Sequence, residues 1–97
     1  MVIKWSKSAA NQLLDILEYL DNNEQFDYSI KIEKEILSKI SALIKNPKIY
    51  PADKLKDKND GSFFAFEVGK YRISYRKLGT EIRILRIRHS KRKPLSY

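Results

Sequence analysis

The stretch from Phe63 to His89 constrains the fold more than any other part of the chain. It runs FFAFEV, YRISYRKL and EIRILRIRH, three β-prone segments at 63–68, 71–78 and 81–89, joined by Gly69-Lys70 and Gly79-Thr80. A glycine in a two-residue connection supplies the positive φ that tight hairpins need, so three consecutive antiparallel strands are expected. In the middle segment Tyr71, Ile73 and Tyr75 alternate with Arg72, Ser74 and Arg76. Successive side chains point to opposite faces of a strand, which predicts one apolar, aromatic face and one cationic face. The last segment departs from this rule, because Ile82 and Ile84 have one parity while Leu85 and Ile87 have the other. Either a bulge shifts the register near Ile84-Leu85, or the strand is central and apolar on both faces. The face taken by Arg83, Arg86 and Arg88 is left open by the pattern.

The elements that cover the apolar face come earlier in the chain. VIKW, residues 2–5, is short and β-prone, and Ser6 follows as a candidate helix cap. Ala10, Leu13, Leu14, Leu17 and Leu20 then recur at intervals of three and four, the spacing of one helical face. DNNEQFD at 21–27 reads as a turn, after which Ile32, Ile36, Ile40, Leu43 and Ile44 repeat the spacing until Asn46-Pro47 ends the helix. Both stripes are expected to be core. PKIYPADKLKDKNDGS, residues 47–62, has the proline, glycine and charge content of a loop. Lys54, Lys56 and Lys58 fall there at spacing two, which an extended segment would project to one side and a flexible loop would leave in solvent. Asp53, Asp57 and Asp60 offer carboxylates without an assignable role. The sum is β-α-α-β-β-β, an α+β fold with a helical hairpin packed on one face of a largely antiparallel sheet whose other face is basic and open. The chain has 97 residues, which suits a single domain spanning 1–97.

Charge divides unevenly along this order. Residues 1–46 hold six lysines against seven acidic residues, whereas residues 47–97 hold fourteen lysines and arginines against five. Every arginine lies between Arg72 and Arg92. A one-sided cluster of this kind attracts polyanions or an acidic partner. With no cysteine and one histidine, neither a disulfide nor a zinc site is expected. No Gly-rich phosphate loop and no Ser/His/Asp motif is recognisable, and no cofactor is expected. The N-terminus lacks a signal-type apolar region and no run of about 18 apolar residues occurs, so a cytoplasmic protein without a membrane partner is expected.

The opening IKWSKSAANQLLDILEYL, the segment GKYRISYRKLGTEIRILRIRHSKR and the near-terminal aromatic together resemble the RelE/ParE superfamily of bacterial type II toxins. The resemblance implies a small toxin held inactive by a cognate antitoxin that wraps it and covers its basic surface. RelE-like members cleave mRNA on the ribosome, and ParE-like members poison DNA gyrase without being nucleases. The expected activity is ribosome-dependent, metal-independent mRNA cleavage, with gyrase inhibition or a non-catalytic nucleic-acid-binding module as alternatives. In the nucleolytic reading Arg72 binds the scissile phosphate through its planar fork, His89 serves as a general base near neutrality, and Tyr97 stacks on a base or assists proton transfer. Lys54, Lys56, Lys58, Arg76, Arg86, Arg88 and Arg92 are expected to contact nucleic acid or antitoxin. One departure stands out: the nuclease pattern has an arginine closer to the last strand, where this chain has Ser90.

Overall fold

The computed structural model describes residues 1–90. The elements are β1 (Val2–Trp5), α1 (Lys7–Asn22), α2 (Phe26–Ala42), β2 (Phe63–Val68), β3 (Tyr71–Leu78) and β4 (Glu81–His89). The sheet order is β1-β4-β3-β2. The two hairpins are antiparallel, and β1 lies parallel to β4, with Trp5 opposite Ile84. The expected α+β architecture is therefore the one formed, with β1 as its parallel edge.

Ser6 starts α1 by accepting the Ala9 N–H at 3.0 Å, which satisfies one of the orphan donors of the first turn. From there the chain buries one stripe of each helix. Ala9 and Leu13 of α1 and Ile32, Ile36 and Ile40 of α2 pack on Phe64, Phe66, Ile73, Tyr75, Ile82, Ile84 and Ile87 of the sheet. Each large apolar side chain so buried contributes about 1.5–3 kcal/mol relative to exposure. Two expected core residues are exposed, Leu14 at 63% and Ile44 at 46%, and two more, Ala10 and Leu17, are half-buried. The α1 stripe runs through Ala9 rather than Ala10 and Leu14, because the sheet contact is narrower than the apolar arc.

The segment before β2 is more ordered than its composition suggests. Ala52 forms an antiparallel bridge with Phe64, and the Asp53 N–H donates to the Phe63 carbonyl at 2.9 Å. Tyr50 stacks on Phe66 at 4.4 Å, and the Tyr75 hydroxyl donates to the Pro47 carbonyl at 2.8 Å. Burial pushes the Tyr75 phenol well above its ordinary pKa, so it stays a neutral donor.

The β2–β3 turn depends on Gly69, which has φ +57°. A Cβ there would meet the Tyr28 hydroxyl at 3.1 Å and Ile32 Cδ1 at 3.2 Å, whereas Gly79, also at φ +57°, faces open space. Gly69→Ala is expected to destabilise the fold by about 1–2 kcal/mol, the left-handed backbone penalty plus displacement of Tyr28. Gly79→Ala should cost less, because only the backbone penalty applies. Urea unfolding of the two variants side by side checks the ordering.

Candidate functional site

The site is assembled by strand parity. Directly opposed residues of a sheet share a face, and the register pairs Arg72 with Glu67 and Arg88, and Arg76 with Phe63 and Arg83. Between these rows Ser74 opposes Arg86 and Tyr75 opposes Ile84, so Leu85 is an extra residue in β4. This is a β-bulge, and it inverts the facing of every side chain beyond it. Arg83, Arg86 and Arg88 thereby join Arg72 and Arg76 on the face away from the helices. Lys4 of β1, opposite Arg83, extends the cationic surface to the sheet edge.

Several of these cations are held by carboxylates. Arg72 Nη2 contacts Asp53 Oδ1 at 2.5 Å, and Arg72 Nη1 donates to Ser74 Oγ at 3.2 Å. The Asp53 side chain is fully buried and also accepts the Leu55 N–H at 2.9 Å, while the Arg72 side chain is 20% exposed. Arg76 donates to Ser62 Oγ at 2.9 Å and meets Asp60 at 3.3 Å. Hydrogen bonds from the Ser62 hydroxyl and backbone, aided by Arg76, hold the Asp60 carboxyl below the usual carboxylate range. Glu81 bridges Arg83 and Lys4, and their hydrogen bonds lower its pKa likewise.

The lysine loop does not present a row. Lys54 and Lys58 are exposed, Lys58 at φ +52°, and Lys56 lies over the Phe63 ring at 4.8 Å. The segment turns instead of extending, so the alternation that would project three lysines at spacing two to one side does not apply. Arg76 also packs on Phe63, at 4.4 Å from its centroid.

His89 is placed elsewhere. It pairs with Tyr71 on the helix-covered side, and the two rings meet edge to face at 5.5 Å. There it lines a cleft of about 610 Å³ together with Asp15, Tyr19, Tyr28 and Lys70, and the adjacent Arg88 also borders this cleft. Arg72 and His89, expected to share a site, thus stand on opposite faces of the sheet. Arg92 and Tyr97 lie outside the described residues. No group of acidic residues and histidine capable of holding a metal ion occurs among the described residues.

Three residues shape this surface in ways the sequence pattern does not show. Asp53 anchors Arg72; its placement just after a proline in a charged loop gave only a turn signal. Ser6 and Gln12 bond the backbone around the bulge, through the Leu85 carbonyl at 2.8 Å and the Ile87 N–H at 2.7 Å. Contacts across 79 and 75 residues leave no local trace in sequence.

Comparison with known proteins agrees with this architecture. A solved structure described as the chromosomal ParDE TA system from P. aeruginosa superimposes with a TM-score of 0.72 at 20% identity, covering 94% of this chain and 97% of that one. At that identity the likeness is one of fold. No curated protein matches significantly. The family profile described as the ParE toxin of the type II toxin–antitoxin system, parDE, matches residues 3–94, from β1 through the arginine-bearing strands. With the family profile matching almost the whole chain and the solved ParDE structure sharing its fold, the chain belongs to the ParE toxin family of type II toxin–antitoxin systems, within the RelE/ParE superfamily.

Proposed function

We propose that this toxin acts by binding rather than by cutting: it inhibits DNA gyrase through its arginine face and is held inactive by a cognate antitoxin. The observation that carries the reading is the separation of Arg72 from His89. RNA cleavage requires a proton-transfer group and a phosphate-stabilising group within hydrogen-bond reach of one scissile linkage. Here the Arg72 fork is engaged by Asp53 and Ser74, and His89 faces the helices. The family match supports the same side of the choice, since ParE-like members are the gyrase poisons of the superfamily. Among the described residues no helix is long and apolar enough to cross a membrane.

Tyr71 and Tyr75 are buried against the helices, so they offer no stacking platform for a single-stranded nucleic acid on the open face.

Purified toxin is expected to inhibit gyrase supercoiling and to leave ribosome-bound mRNA intact, with His89→Ala retaining growth arrest at undiminished strength. Cleavage of ribosome-bound mRNA that is lost in His89→Ala overturns the proposal. Growth should be restored by co-expression of the antitoxin encoded beside the toxin.

A further inference from the structure

A strand reading EIRILRIRH cannot alternate strictly and still present Arg83, Arg86 and Arg88 on one side. Leu85 resolves the conflict, because Leu85 and Arg86 together oppose Ser74. The extra residue also takes the local backbone out of the ladder. β1 pairs with β4 only as far as Trp5 opposite Ile84, so the β4 edge beyond that point needs other partners. They come from the start of α1. The Ser6 N–H donates to the Ile84 carbonyl at 2.9 Å, the Ser6 hydroxyl donates to the Leu85 carbonyl at 2.8 Å, and Gln12 Oε1 accepts the Ile87 N–H at 2.7 Å. Two side chains thus grip the bulge on either side of Arg86.

We infer that Ser6 and Gln12 are positioning residues for Arg86 and Arg88, acting through the Leu85 bulge; the inference rests on the arginine face being the gyrase-contacting surface. The bulge decides which side chains that surface contains. Without it Arg86 and Arg88 would turn toward the helices and His89 toward solvent. The grip from α1 therefore fixes the half of β4 that carries the two arginines.

Ser6 also caps α1, so its removal mixes two effects, and Ser6→Asp separates them. A carboxylate still accepts the Ala9 N–H but has no proton for the Leu85 carbonyl. Gln12→Leu removes the acceptor at similar volume, and Gln12→Glu restores one. The experiment is a mutant cycle on the concentration of purified toxin that half-inhibits gyrase supercoiling, with folding of each variant verified by circular dichroism. Gln12→Leu and Ser6→Asp should each raise that concentration about tenfold, the equivalent of one lost hydrogen bond, while Gln12→Glu stays within about twofold of the parent. Added to Arg86→Ala/Arg88→Ala, Gln12→Leu should cause less than about twofold further change, because the groups it positions are gone. Full additivity, or inhibition unchanged in both Gln12→Leu and Ser6→Asp while the arginine variant is impaired, overturns this inference alone. Undiminished inhibition by Arg86→Ala/Arg88→Ala overturns the contact-surface reading and the positioning role with it.

Discussion

Arg72→Ala is expected to destabilise the fold by about 3–5 kcal/mol, the cost of leaving one partner of a buried ion pair uncompensated. The asymmetry of the pair sets the direction. Asp53 is fully buried and Arg72 is 20% exposed, so removing the arginine strands a carboxylate that water cannot reach. Removing Asp53 instead leaves a guanidinium that can turn to solvent, and Asp53→Ala should cost less. The loss is repairable by removing the charge on both sides. Arg72→Met combined with Asp53→Asn should recover most of it, because an amide oxygen in place of Oδ1 can still accept the Leu55 N–H. Guanidinium denaturation midpoints of the three variants test the ordering. If Arg72 serves only a target or a substrate, Arg72→Ala unfolds at the parent midpoint and the structural role is refuted. The result also bears on function: loss of toxicity in Arg72→Ala is no sign of catalysis unless the protein is folded at the assay temperature.

The same pair shows why part of the site was legible in sequence and part was not. Alternation in YRISYR placed Arg72 and Arg76 on the face away from Tyr71, Ile73 and Tyr75, and the structure agrees, because β3 is regular in its own side-chain order. The two helices and three hairpin strands followed from apolar period and glycine placement for the same reason: they are local signals. Leu14 shows the limit of that reading, since a helical stripe reports which residues can be buried but not how wide the contact is. The partner of Arg72 was invisible, because Asp53 reaches it through a bridge between Ala52 and Phe64 that no local pattern encodes. The facing of His89 was left open together with that of the last-strand arginines, because it depends on one residue of phase. Counted from Arg83 along an unbroken strand it shares the arginine face, and the extra Leu85 turns it to the Tyr71 side. The parity conflict at Ile84-Leu85 announced the bulge as one of two options. Choosing between them required Ser6 and Gln12, which lie at the other end of the chain.

Under the gyrase-binding function proposed above, Arg88→Glu is expected to weaken inhibition about 100-fold while leaving the fold as stable as the parent or slightly more so, and the opposite signs are what make the variant informative. Arg88 lies directly across from Arg72, and like charges so opposed destabilise a sheet by a few tenths to about 1 kcal/mol. Arg72 is neutralised by Asp53, Arg76 is bonded to Asp60 and Arg83 to Glu81, but Arg88 has no carboxylate partner among the described residues. No carboxylate among the described residues offsets the charge of Arg88 itself, so a glutamate there should remove the repulsion that Asp53 leaves on Arg72 and gain a weak attraction to it. Binding reads the same change in reverse. An arginine in a contact surface is a common hot spot, worth about 2 kcal/mol or more, and reversing its charge opposes whatever a cationic face attracts. The half-inhibitory concentration and the denaturation midpoint, measured on one preparation, test both signs. A destabilised variant shows that Arg88 has a structural role, and a stable variant of undiminished potency shows that the target is recognised by another surface. Like-charge opposition that lowers stability without benefit is rarely retained where a single substitution removes it, which is why the Arg72–Arg88 row is the part of the sheet to reverse first.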